Sequence, residues 1–296
     1  MRAWVFGLAL AWGGSAARAQ VMDDPTASVW SVTRSWDAAA EAEFGRFVTT
    51  LGRAVAAHRC TTLRGCLQSR SVNPLWAPSR RPLRFRGDCA DVPYILRAYF
   101  AWRTHRPFVF TSRVRTRSVA PHAPPHVEPM STLRWDDYAS PRALFNDVAS
   151  VVRSWFFRSD AATDRSDFYP VAIDRRWVRP GTVFYDPDGH VLVVYEVLPS
   201  GEVLMVDGHP DSSFTARRFS ETLTLGTART NGGFQNFRPI LLGPGGRLSR
   251  PASRALPDYD PLGQYDAARR VVDGHAVGYH AWVRGRLRER PPRAGR

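Results

Sequence analysis

An α+β fold follows from the order of hydrophobic patterns along the chain. Apolar residues recur at helical spacing as far as about residue 158, give way after Trp177 to short β-branched runs, and return to helical spacing near the C-terminus. The runs in the second half are separated by "PDG" and "PSG", turn sequences that favour an antiparallel meander. At 296 residues and 44% hydrophobic, the chain can bury one full core or two small ones.

The first twenty residues stand apart. Arg2 precedes the apolar run "AWVFGLALAWGG", too short to span a bilayer, and "ARAQ" offers a small-residue cleavage site after Ala19. Residues 1–19 are therefore expected to be a signal peptide and the mature protein to be periplasmic or secreted, with no transmembrane segment. A helix follows in "SWDAAAEAEFGRFVTTLGRAVAAHRC", with Asp37 as its cap and Phe44, Phe47, Val48, Leu51 and Val55 on one face. Residues 67–85 are turn-rich, with Pro74, Pro78 and Pro82.

From Ala90 to Trp102 the apolar residues suit a largely buried helix. Pro93 fits only its first turn, which puts Cys89 at or just before the helix start. The basic, proline-rich "SRVRTRSVAPHAPPHVEP" reads as an extended excursion over the surface. In "SPRALFNDVASVVRSWFFR", Ser140 caps a further helix with proline next to it. The strands are expected in "GTVFYD", "HVLVVYEV" and "EVLMVDG", with further strands or connections in "SFTARRF", "TLTLG" and "FQNFRPILLG". A last helix is expected from about Leu262 to Leu287, before an arginine-proline tail.

The formal charge is +14, and all 41 basic residues are arginine. With no lysine, Schiff-base and lysine-base chemistry are excluded. Arginine excess invites a nucleic-acid reading. The arginines are scattered, however, and no helix-turn-helix, zinc-finger or RNA-binding signature occurs, so no nucleic-acid partner is expected. Three cysteines are an odd count for an exported chain. Cys60 and Cys66, six apart around a glycine, can staple a small loop, which leaves Cys89 free.

A thiol becomes a good nucleophile at a helix N-terminus and beside an imidazole. Of eight histidines, His58 and His105 follow helical segments, His122 and His126 lie in the excursion, and His275 and His280 belong to the C-terminal helix. "HAWV" at His280 has no carboxylate strand after it. The remaining two stand in "GHVLVVYEVLPSGEVLMVDGHPD". His190 opens a strand and Asp207 closes the next one, so hairpin geometry puts them at the same end of the sheet, with His209 just beyond. Asp207 or His209 can then orient His190.

Cysteine at a helix start, histidine at a strand start and a polar residue on the following strand resemble the order of the papain-like cysteine enzymes. "PGTVFYDPDGHVLVVYEV" is similar to the strand–turn–His–strand block of NlpC/P60 cell-wall peptidases, and that branch implies His209 as third member. "GDCADVPYILRAYFAWRTHRPF" resembles the transglutaminase-like core, with a glycine before the cysteine and a carboxylate two residues after it, and that branch implies Asp207. The resemblance implies a papain-like fold in which the helix carrying Cys89 packs on an antiparallel sheet, with helical additions. It covers residues 86–108 and 180–211. The sequence departs from it in "DCAD", where NlpC/P60 members carry "DCSG", and in a Cys-to-His gap of 190 − 89 = 101 residues.

The expected organisation is a signal peptide at 1–19, a helical and loop region packing on the core at 20–85, a core at 86–245 with an insertion at about 109–176, and a C-terminal helix and basic tail at 246–296. The expected function is that of an exported cysteine peptidase, amidase or acyl transferase using Cys89, His190 and Asp207 or His209, with no metal and no cofactor. Peptides or envelope proteins, including peptidoglycan stem peptides, are the substrates the resemblance implies. Cys89 as an inert buried thiol, His190 as a turn residue and Asp207 as a strand-end cap give the alternative, an inactive envelope-binding domain of the same fold. A metal held by His190, Asp207 and His209 is a third reading, without the support of HExxH or CxxC spacing. For an oxyanion hole, the Cys89 N–H and a second donor near Asn73 or Trp76 are the candidates; Gln235 and Asn236 are candidates for a cleft or for a β-turn.

Overall fold

The computed structural model describes residues 24–117 and 126–289. The expected signal peptide, His122 and the last residues of the tail lie outside that range. Helix α1 (Ala38–Ala56) starts where Asp37 accepts the Ala40 N–H at 2.7 Å, and it buries the predicted face of Phe44, Phe47, Val48, Leu51 and Val55. Thr62 caps α2 (Leu63–Gln68), whose Cys66 is disulfide-bonded to Cys60. Helix α3 (Asp91–Arg103) is buried from Asp91 to Trp102. Its one buried cation, Arg97, stacks 3.2 Å above the Trp36 ring and takes Glu41 of α1 in a bidentate pair at 2.5 and 2.9 Å, which satisfies the charge inside the core.

The excursion is more ordered than its composition suggests: β1 (Val109–Arg117) pairs antiparallel with β2 (His126–Arg134). Helix α4 (Pro141–Val151) is capped by Ser140 as expected but stops at Val151, and Ser154–Phe157 form a separate 3-10 turn. The central sheet has six strands: β3 (Phe168–Pro170), β4 (Val183–Asp186), β5 (His190–Val197), β6 (Val203–Gly208), β7 (Phe214–Arg218) and β8 (Gly233–Phe237). Their spatial order is β3-β8-β4-β5-β6-β7, with every pairing antiparallel. Alternation along the strands divides the core. Val183, Tyr185, Val191, Val193 and Val206 pack with α1, α3 and α4, whereas Phe184, Leu192, Val194, Met205 and Phe234 pack with α5 (Tyr279–Leu287). The α+β class and the antiparallel sheet are thus as predicted. Among the described residues no helix is long and apolar enough to cross a membrane.

Three expectations are corrected. The insertion does not run to 176, because β3 is an edge strand of the central sheet, pairing Phe168 with Phe237. The C-terminal helix does not begin at Leu262. Asp273 and Gly274 both take positive φ, 50° and 83°, and turn Val271–Val272 back on His275–Ala276, so His275 is on a strand. Of the two readings of "TLTLG", strand or connection, the second holds. Asn73 and Trp76 are remote from Cys89. The buried Asn73 amide donates to Leu67 O and Tyr99 Oη at 2.6 and 2.7 Å, and Trp76 lines a cleft with Tyr99 and Trp102. Tyr99 is ten residues along α3 from Cys89, about 15 Å of helix.

Candidate active site

The two aspartates around Cys89 organise its backbone. Asp88 Oδ1 accepts the Ala90 N–H at 2.9 Å, and Asp91 Oδ2 reaches back to the Asp88 N–H at 2.8 Å, a reciprocal arrangement like a capping box. The amides on either side of the cysteine are therefore occupied, while the Cys89 N–H bonds to none of the described residues. Asp91 is 2% exposed, and its Oδ1 has no partner. Burial, helped by the nearby Asp88 charge and opposed by the Asp88 N–H and Arg153, pushes its carboxyl up to about 8, so it is neutral at pH 7. A protonated Asp91 removes one negative charge from beside the thiol.

The histidine is placed by a turn and a register. Gly189, at φ 112°, closes a turn in which its N–H bonds to Asp186 O at 3.0 Å. His190 starts β5 directly after it. The pairing of Val193 with Val206, continued to the strand end, sets His190 opposite His209, with Asp207 as its diagonal neighbour on the same face. The imidazole spans that diagonal: His190 Nε2 lies 2.8 Å from Asp207 Oδ2. Thr215, opposite Asp207 on β7, donates to Asp207 Oδ1 at 2.5 Å. His209 stands behind, with Nε2 2.9 Å from Thr215 Oγ1 and 3.6 Å from Asp207 Oδ1.

The approach of helix and sheet rests on Gly208. A Cβ there would lie 2.8 Å from Val92 Cγ2 and 2.9 Å from Asp88 O, so any side chain would push the cysteine turn away from β6. The half-buried Cys89 thiol sits 3.8 Å from Gly189 O and next to the His190 side chain, whose proton affinity it raises. The Asp207 hydrogen bond first, then the one with Cys89, raise His190 to about 9 against the cost of burial. Asp207 is 0% exposed; burial would raise its carboxyl, but hydrogen bonds from His190 and Thr215 and the nearby His209 outweigh that and hold it below the ordinary range.

Cys89, His190 and Asp207 are thus brought together in that order, and His209 is adjacent without touching His190 by a hydrogen bond, its ring centre being 6.0 Å away. His280 is used elsewhere, against Phe219 and Leu223 O. Asn236 bonds to Thr182, Asp258 and Trp177 O, and Gln235 donates to Asn231 O, so both are internal struts. Thr215 and Gly208 were not foreseen. Thr215 could have been found by extending the hairpin register across "HPDSS"; nothing local marks Gly208. Among the described residues no group of three or more His, Cys, Asp or Glu side chains is placed to hold a metal ion. Comparison of the chain with known protein families, with curated proteins and with solved structures finds no match in any of the three.

Proposed function

We propose that this protein is a papain-like cysteine hydrolase or acyl transferase acting on amide bonds. The observation that carries the reading is the chain of contacts from the Cys89 thiol through His190 to the buried Asp207, with Nε2 to Oδ2 at 2.8 Å. Cys89 Sγ, its proton already passed to His190, attacks the amide carbon, and the carbonyl π pair moves to oxygen, where the unoccupied Cys89 N–H supports it. Collapse of that adduct breaks the C–N bond, and His190 returns the proton to the leaving amine. The remaining thioester is opened by water, giving an acid, or by an amine, giving a new amide. Asp207 holds Nε2, which leaves Nδ1 as the nitrogen that takes the thiol proton. Peptides of the cell envelope are the substrate class the family resemblance implies, in keeping with a Cys60–Cys66 disulfide of the kind that persists outside the cytoplasm.

The test is alkylation of Cys89, the one cysteine outside the disulfide, by iodoacetamide at pH 7 in the intact protein and in His190→Ala. A rate at least about tenfold higher in the unaltered protein is expected, the imidazole there assisting loss of the thiol proton. Equal slow rates would sink the enzyme reading and leave a binding domain.

A further inference from the structure

The 3-10 turn Ser154–Phe157 lies against the site without belonging to the triad. Ser154 Oγ is 3.8 Å from where a Gly189 Cβ would stand, and Gly189 O is the atom 3.8 Å from the Cys89 thiol. On the other flank, the Arg153 charge acts on Asp91, the buried acid two residues after Cys89. The turn is held rigidly. Phe157 is buried among Tyr94, Phe168 and Tyr185, and Arg158 donates to Tyr185 Oη and Pro187 O at 2.8 and 2.5 Å, the latter in the turn that leads into His190.

On this rigid support Trp155 leaves 40% of its surface in water, the one aromatic among the large exposed apolar side chains of the described residues. Phe156, half-buried, meets it edge to face at 5.0 Å, so the indole is steadied by a ring and not covered. Arg153 is exposed and pairs with no carboxylate among the described residues; its one hydrogen bond is to Val152 O. An uncovered indole two residues along from an unpaired guanidinium suits a ligand that is apolar at one point and anionic near it. The turn's two neighbours are Gly189, whose carbonyl is 3.8 Å from the sulfur, and Asp91, two residues after Cys89, so the turn flanks the cysteine side of the site, where the acyl part of a substrate would lie.

We propose that Arg153 and Trp155 form the specificity wall of the Cys89 site, selecting peptides with an aromatic or large apolar side chain on the residue that carries the scissile carbonyl and a carboxylate on the residue before it. This rests on the thiol–imidazole reading above. The experiment labels the full chain with iodoacetamide, which has no side chain to recognise, and with dipeptidyl chloromethyl ketones ending in Glu-Phe, Glu-Ala or Lys-Phe. In the unaltered protein Glu-Phe is expected to label Cys89 about tenfold faster than Glu-Ala, the scale of a filled against an empty apolar contact, and severalfold faster than Lys-Phe. Trp155→Ala should bring the first ratio near one and Arg153→Ala the second, with iodoacetamide rates within about twofold of the unaltered protein, as for surface substitutions that leave the fold intact. Ratios near one in the unaltered protein, or ratios that survive in the variants, would overturn the wall while fast iodoacetamide labelling left the triad standing. Slow iodoacetamide labelling, equal to that of His190→Ala, would remove both.

Discussion

Asp167 and Asp207 are both buried carboxylates beside the central sheet, and they do different work. Asp167 accepts from Tyr94 Oη at 2.9 Å, the Thr111 N–H at 2.6 Å and Arg250 at 2.7 Å. Its donors are a phenol, a backbone amide and a guanidinium, none of which can hand a proton on at neutral pH. Burial and the Asp167 charge push the Tyr94 phenol well above its ordinary range, which closes the network further. Asp207 accepts instead from a hydroxyl and an imidazole, and that imidazole is 27% exposed with a thiol near it. Similar burial therefore gives a strut in one case and, in the proposed reaction, the back of a proton-transfer chain in the other. What separates them is whether the donor has a second atom with an open side.

The contrast is broken most directly by Cys89→Ala. It should abolish thiol labelling and reduce amide turnover by about a thousandfold or more, as loss of a nucleophile does, with the unfolding midpoint in urea nearly unchanged. Asp167→Ala should do the reverse. It strands Arg250, Tyr94 and the Thr111 N–H, costing about 3–5 kcal/mol in urea unfolding, while Cys89 labelling per folded molecule stays as before. A stable Asp167→Ala protein with slow labelling would show that the two carboxylates are not separate systems.

Asp207→Asn sharpens the comparison through pH. His190 must be protonated to supply the leaving amine, so activity should fall as pH rises through about 9. Asp207 is the largest cause of that elevation, so the falling limb in Asp207→Asn should move down toward the ordinary histidine value of about 6.5. An unmoved limb would assign the orienting role elsewhere, with His209 the first residue to test.

The last comparison concerns Asp91. It is protonated when folded, up to about pH 8, and ionised when unfolded above about pH 4, so its contribution to stability is complete below about pH 4 and is lost as pH rises to about 8. Asp91→Asn keeps an acceptor for the Asp88 N–H and cannot ionise. The decline of the unfolding midpoint between those two pH values should therefore flatten in the variant, and a decline of the same slope would show that Asp91 is already charged at neutral pH.

The local elements were legible because their signals are local. Asp37 and Ser140 as caps, Pro93 in a first turn, and the alternation of "HVLVVYEV" each depend on a few neighbours. The C-terminal helix was misread because apolar spacing outweighed "DG", although two positive φ values there make a hairpin. Pro93 in the first turn of α3 is enough to put Cys89 just before the helix. That Asp88 and Asp91 would occupy each other's amides, leaving Cys89 N–H free, depended on side-chain geometry.

By itself the sequence determined the α+β class, the free cysteine at the start of a buried helix and the histidine at the start of a strand, because periodicity, proline and turn residues act over a few positions. Only the tertiary structure decided that Asp207 and not His209 bonds His190, that Thr215 backs it, and that the turn starting at Ser154 lies against Gly189. Those choices turn on register between strands and on the close approach at Gly208, where a single Cβ would hold helix and sheet apart.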